Sequence, residues 1–326
     1  MSRPIFWKSI LSFCLTLSLY GCAMTNQVNP TSIAMSPLPG SPKFRVIAYV
    51  TDAVVSSLIQ YDKLTHINYA FLIPNEDGSF RDLANTWKIE EIISLAHQQN
   101  VKVLISVGGW GWDAQFERLA ADPATRTAFV QNLVEIVNRH QLDGADMDWE
   151  YPDPGQSSQN FLALMQELRT ALPKDKLLTA AVVALGDNGP GIPTESFALM
   201  DFVNIMAYDN GGAEHSSLEY ARSALGYWLD RGLPPEKATL GVPFYARPTE
   251  VPYWKIVKAD PAAAQLDSYD YDGILINYNG IPTIQTKTRL AMQRASGIMF
   301  WTLENDASGD LSLLNAIHQV VLNGGK

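Results

Sequence analysis

The run Leu142-Asp-Gly-Ala-Asp-Met-Asp-Trp-Glu-Tyr-Pro152 sets carboxylates at alternate positions, Asp146, Asp148 and Glu150. Along a β-strand successive side chains point to opposite faces. These three then share one face, and Asp143, Met147 and Trp149 take the other. Neighbours on the shared face stand about 6.6 Å apart along the backbone. Desolvation and mutual repulsion both raise a carboxyl's pKa, so at least one of the three is expected to keep its proton near neutral pH. A positioned, protonated carboxyl is a general acid, and the run offers three candidates for that role. The competing reading is a solvated acidic edge. It does not account for the apolar strand leading into the run, nor for Trp149, Tyr151 and Pro152 around its end.

Such a run needs a scaffold that points it into a shared interior. From Phe44 onward, short β-branched runs alternate with longer amphipathic stretches. The expected strands are Phe44–Val50, His66–Leu72, Val101–Val107, Gly144–Glu150, Leu177–Ala184, Phe202–Ala207, Thr239–Phe244 and Gly297–Leu303. Between them lie helical patterns at 114–140, 160–171, 217–231 and 286–295, with a last one at 311–321. Near-continuous apolar strands alternating with helices imply a parallel sheet covered by helices. Eight repeats favour an α/β fold of one class, a single closed (β/α)8 TIM barrel, and 326 residues suffice for it. No G-x-G-x-x-G follows the first strand, which argues against an open dinucleotide-binding sheet. In a barrel the chemistry belongs at the C-terminal ends of the strands.

Composition narrows the partners. The formal charge is −10, with no Lys/Arg cluster, so nucleic acid is not an expected ligand. The two cysteines, Cys14 and Cys22, precede the expected barrel and leave it without a disulfide or thiolate site. His66, His97, His140, His215 and His318 are scattered with no paired metal-ligand spacing, so neither metal nor cofactor is expected.

The N-terminus reads as an address. Arg3 and Lys8 precede an apolar stretch from Ile10 to Tyr20, too short to span a bilayer but suited to a signal peptide over 1–21. Leu19-Tyr20-Gly21-Cys22 resembles a bacterial lipobox with cleavage before Cys22, which would carry the lipid. An ordinary secretory signal and an uncleaved anchor are the alternatives. Residues 22–43 hold four prolines and little that could pack, as expected of a flexible tether joining Cys22 to a catalytic barrel over 44–326. Ala23 behind the cysteine resembles an outer-membrane sorting signal, so the expected location is the bacterial cell envelope, with secretion as the alternative.

The acidic run also carries a family resemblance. DGADMDWEYP resembles the DGxDxDWEYP signature of the family 18 glycoside hydrolases, the chitinase family. Ser106-Val-Gly-Gly-Trp110 resembles that family's SxGG motif, and Met206-Ala-Tyr208-Asp209 its MxYD motif. The segment from Leu240 to Arg247 resembles its seventh strand, and Trp301 in GIMFWTLEND the tryptophan that floors its sugar site. The resemblance implies retaining, substrate-assisted hydrolysis of β-1,4-linked N-acetylglucosamine chains, with no protein nucleophile. It implies Glu150 as acid and Asp148 as the group that orients the substrate acetamide, sharing a proton with Asp146 beneath. Tyr208 would hydrogen-bond the acetamide oxygen, with Asp209 supporting the same group. Trp301 would stack under the −1 sugar and Trp110 under the +1 sugar. Tyr245 and Arg247 would line the groove, with Tyr49 and Ser106 below the carboxylates.

One departure stands out. Many members of that family carry a sizeable α+β module between strands seven and eight, whereas only residues 248–296 separate Arg247 from Gly297 here. The expectation is a shortened insertion, a shallow groove and endo-type cleavage by a monomer. Two other functions share the motifs: an endo-β-N-acetylglucosaminidase acting on N-glycan chitobiose cores, and a non-catalytic chitin lectin. The lectin reading sits poorly with retention of Glu150, Asp148 and Tyr208 together.

Overall fold

The computed structural model describes residues 44–212 and 214–325. The expected signal peptide, the lipidation site Cys22 and the tether lie outside the described residues.

Eight parallel strands close into a barrel: β1 (Arg45–Val50), β2 (His66–Leu72), β3 (Lys102–Gly108), β4 (Gly144–Asp148), β5 (Leu177–Val183), β6 (Phe202–Met206), β7 (Ala238–Pro243) and β10 (Gly297–Trp301). β10 pairs with both β1 and β7, so no barrel edge is left open. Around it run α1 (Thr86–Gln98), α2 (Asp113–Ala121), α3 (Pro123–Arg139), α4 (Gln156–Ala171), α5 (Leu218–Asp230), α7 (Ile281–Arg294) and α8 (Leu313–Leu322). This is the (β/α)8 architecture that the alternation of patterns predicts.

Two expected elements differ. The single helix expected over 114–140 is two helices, because Asp122-Pro123 starts a new one. The Asp122 carboxylate accepts from the backbone of Ala124 and Thr125, and proline fits the first helical position, where no N–H is needed. Strand β4 ends at Asp148, so Glu150 stands on the loop after the strand rather than on it.

Period-two alternation divides the apolar residues into two cores. Met147 and Trp149 point outward into the layer beneath the helices, where Trp149 stacks on Phe116 with ring centroids 5.1 Å apart. Ile47, Tyr49, Ala70, Ala181, Phe202, Met206 and Met299 fill the barrel interior. Between β7 and β10 the chain forms α6 (Tyr253–Ala259) and an antiparallel hairpin of β8 (Ser268–Tyr271) and β9 (Ile274–Asn277) before α7. The insertion is thus a short helix and a two-stranded hairpin, as its length suggests.

Candidate active site

The acidic run sorts its carboxylates by face. Asp143 lies just before β4 and is held by His97 Nε2 at 2.7 Å, Lys102 Nζ at 2.7 Å and the Val103 amide at 2.8 Å. Burial alone would raise its pKa, but these partners outweigh it and hold the carboxyl below the usual range. It ties α1 and β3 to β4.

Asp146 points into the barrel and is fully buried. Its Oδ2 accepts from Tyr49 Oη at 2.6 Å and Ser106 Oγ at 2.9 Å, and its Oδ1 from Thr179 Oγ1 and from Asn204 Nδ2 at 3.2 Å. Strand register explains two of these, since Ser106 and Thr179 are the ladder neighbours of Asp146 on β3 and β5. Burial still prevails over the four donors and leaves the pKa raised.

Asp148, one step nearer the mouth, is 3% exposed, and its Oδ1 is buried with no hydrogen-bond partner. Burial first, then the charges of Glu150 and Asp146, push its pKa well above the carboxylate range. Both Asp146 oxygens take donors from other strands. Glu150 is half-buried at the mouth. Burial and the nearby Asp209 charge raise its pKa against the opposing hydrogen bond from Tyr151.

Tyr208 follows β6, and burial pushes its phenol well above the usual range. It fits because β7 offers a glycine there: a Cβ on Gly241 would lie 3.1 Å from Tyr208 Cε1 and 2.4 Å from the Ile205 carbonyl oxygen. Asp209 was expected to support the substrate acetamide. Instead, both its oxygens are engaged by protein groups. Arg247 donates through Nε at 2.8 Å and Nη2 at 2.7 Å, Tyr245 Oη donates at 2.8 Å, and His215 Nδ1 lies at 3.1 Å. Burial works against these bonds, but they win and hold the Asp209 carboxyl far below its usual range. Tyr245 and Arg247 therefore reach the site through Asp209.

The aromatic groups form a floor and a rim. Trp301, at the end of β10, stacks on Phe71 with centroids 5.3 Å apart and 22° between planes, and tilts against Tyr49 at 5.8 Å. Trp110 is 78% exposed and meets Tyr151 edge-on at 6.5 Å. The glycines before it are dictated by space and dihedral: Gly109 has φ +88°, and a Cβ there would strike the Phe71 ring at 2.7 Å. Cis peptides Ala70–Phe71, Glu150–Tyr151 and Trp301–Thr302 fall at the ends of β2, β4 and β10.

The structure thus gathers Tyr49, Ser106, Asp146, Asp148, Glu150, Tyr208 and Trp301 around one barrel mouth, with Trp110 on its rim and Asp209, Tyr245 and Arg247 as a linked cluster at β6 and β7. Sequence reasoning missed Thr179, Asn204, Thr239, His215, Phe71 and Tyr151. Thr239 Oγ1 donates to Asn204 Oδ1 at 2.8 Å, which leaves the Asn204 amide nitrogen for Tyr49 and Asp146. A lone polar residue inside an otherwise apolar strand was the available signal for Thr179, Asn204 and Thr239.

Comparison with known proteins agrees with this geometry. The family model described as glycosyl hydrolases family 18 matches residues 45–306. Chitinase 1 of Aphanocladium album is 27% identical over 79% of this chain and 79% of its own length. A solved family 18 chitinase from the chitin utilization locus of Flavobacterium johnsoniae is 33% identical and superposes with a TM-score of 0.75, covering 86% of this chain and 94% of that one. A chitinase from Bacteroides thetaiotaomicron is 27% identical, with a TM-score of 0.78 over 86% of this chain and 97% of that one. With its carboxylates at the C-terminal mouth of a closed barrel and that family's model spanning the barrel, the chain belongs to glycosyl hydrolases family 18 and is a glycoside hydrolase.

Proposed function

We propose that this glycoside hydrolase cleaves β-1,4-linked N-acetylglucosamine chains with retention, using the substrate's own 2-acetamido group as nucleophile. The observation that carries this reading is the buried Asp148 Oδ1, which has no donor while its neighbour Asp146 has four. A buried acceptor is costly to leave unpaired, and an acetamide N–H supplies the missing donor. Two neighbouring carboxylates are ill placed to compete as nucleophiles: Asp146 is enclosed by hydroxyl and amide donors, and Asp209 is held by Arg247.

Glu150, whose pKa its surroundings raise, gives its proton to the glycosidic oxygen as the bond to C1 breaks. The acetamide carbonyl oxygen bonds C1, forming an oxazolinium ion whose N–H is held by Asp148. The Glu150 carboxylate then takes a proton from water as that water attacks C1 and reopens the ring. Tyr208 donates its hydroxyl to the acetamide oxygen and holds it at C1, an orientation effect of the kind that lowers barriers substantially. Trp301 on Phe71 forms the floor of the −1 sugar, and Trp110 a +1 platform. Asp209 acts at a distance, its field helping to keep the proton on Glu150.

Chitinases among the relatives support chitin as the substrate class. The short insertion supports an open groove and endo cleavage. The N-terminal pattern supports export and tethering through Cys22, with the barrel acting as a monomer. The test is hydrolysis of a chromogenic chitobioside and of long chitin oligomers by the wild type and by Glu150→Gln, alongside release of glycans from a high-mannose glycoprotein. Cleavage of the chitin substrates by the wild type alone supports the reading. Glycan release without oligomer cleavage would replace it with N-glycan hydrolysis, and chitin binding without any turnover would replace it with a lectin. Loss of labelling by a palmitate analogue in Cys22→Ala tests the anchor.

A further inference from the structure

We infer that Lys287 is a positioning residue for Tyr208, acting through Ser216, and that α7 and the hairpin segment before it serve as its mount. The inference rests on the role given above to Tyr208.

Lys287, on α7, is fully buried, yet among the described residues no carboxylate forms an ion pair with it. Its ammonium donates to the Ser216 carbonyl oxygen at 2.6 Å, to Ser216 Oγ at 2.7 Å and to Asn279 Oδ1 at 2.6 Å. Burial lowers its pKa to about 7, partly offset by the more distant Asp267. An apolar side chain would fill this space at far lower cost, so a buried amine spent on three hydrogen bonds fixes the groups that accept them.

What it fixes is the loop after β6. Ser216 Oγ accepts from Lys287 and donates to the Ala207 carbonyl oxygen at 2.7 Å, and that carbonyl belongs to the peptide joining Ala207 to Tyr208. The N–H of the same peptide bonds the Met206 carbonyl oxygen at 2.8 Å, so the plane that sets the direction of Tyr208 is held on both sides. Asn279 adds a second hold through Nδ2 to the Ser216 carbonyl oxygen at 2.8 Å. Two residues earlier, Asn277 exchanges backbone hydrogen bonds with Arg247, whose guanidinium grips Asp209. The loop that begins at Tyr208 is therefore pinned near both ends, at Asp209 and at Ser216, from the same short stretch 277–287. Between the pins lie Gly211 and Gly212, which have no side chains to anchor the backbone there.

The test compares Lys287→Met, Ser216→Ala and the double variant with the wild type. The readouts are kcat and KM on a chromogenic chitobioside, inhibition by a thiazoline mimic of the oxazolinium ion, affinity for chitobiose, and thermal unfolding. The expected result is a parallel loss of about tenfold in kcat and in thiazoline affinity, with KM and chitobiose affinity within about twofold. The double variant should lose no more than the worse single one, because both changes cut one chain of bonds. Unchanged kcat and thiazoline affinity in a folded Ser216→Ala would overturn the inference, as would multiplying losses in the double variant. If Lys287→Met does not fold, Ser216→Ala decides alone. A wild type that hydrolyses the chitobioside but ignores the thiazoline would sink the substrate-assisted reading itself, and the inference with it. A sensitive wild type with unaffected variants sinks only the inference.

Discussion

Tyr49 Oη sits 2.6 Å from Asp146 Oδ2 across the barrel interior, joining the first strand to the fourth beneath the catalytic mouth. With Ser106, Thr179 and Asn204 it makes Asp146 a fixed base plate. Asp148, on the same face, is left with its buried oxygen free. The difference between these two carboxylates is the central asymmetry of the site.

Removing the Tyr49 hydroxyl leaves a buried carboxylate short of one donor. Tyr49→Phe should destabilise the protein by about 1–3 kcal/mol in urea unfolding. The loss should come with a fall in kcat larger than any rise in KM, since Asp146 supports Asp148 rather than the sugar. A variant of native stability would show that the bond contributes nothing.

The alkaline limb of the pH–rate profile can be assigned. Glu150 must carry its proton to act, and its pKa is raised, so kcat/KM should fall as pH rises through a value above the ordinary glutamic acid figure of about 4.3. Asp209→Asn removes a negative charge that helps to raise that pKa, so the alkaline limb should move to lower pH. An immobile limb in Asp209→Asn would separate the two residues. Glu150→Gln should lower kcat by about 10²–10⁴.

Asp148 makes the fold less stable as pH rises. Its folded-state pKa lies well above the unfolded value, so the folded form binds a proton more tightly than the unfolded chain does. That contribution is complete below the unfolded pKa and is lost as pH climbs through the folded one. Asp148→Asn should therefore raise the melting temperature at about pH 7 while abolishing most turnover. Differential scanning calorimetry across pH checks both the sign and its disappearance in acid.

Trp110 and Trp301 should respond differently. Trp110 is largely exposed, so Trp110→Ala should change stability by no more than about 0.5 kcal/mol and weaken binding of longer oligomers. Trp301 stacks on Phe71 and touches Tyr49, so Trp301→Ala should cost both stability and affinity. Equal effects in calorimetry and oligomer titration would contradict the division between rim and floor.

The sequence by itself determined the architecture and the chemistry of the acidic run. A period of two is a local property, so alternation alone put Asp146 and Asp148 inside and Asp143, Met147 and Trp149 outside. The break at Asp122-Pro123 was equally local and was there to be seen, since a capping aspartate before proline marks a helix start. Only the tertiary structure decided how each carboxylate behaves. The donors on Asp146 come from four strands, the nearest 33 residues away in the chain and the farthest 97. The same holds for Arg247 on Asp209 and for Lys287 behind Ser216, which lie 38 and 71 residues apart. Strand register and barrel closure bring these groups together, and no local pattern encodes a distance across a barrel. Which acid keeps its proton, which is neutralised and which is left open for a ligand are properties of that closure.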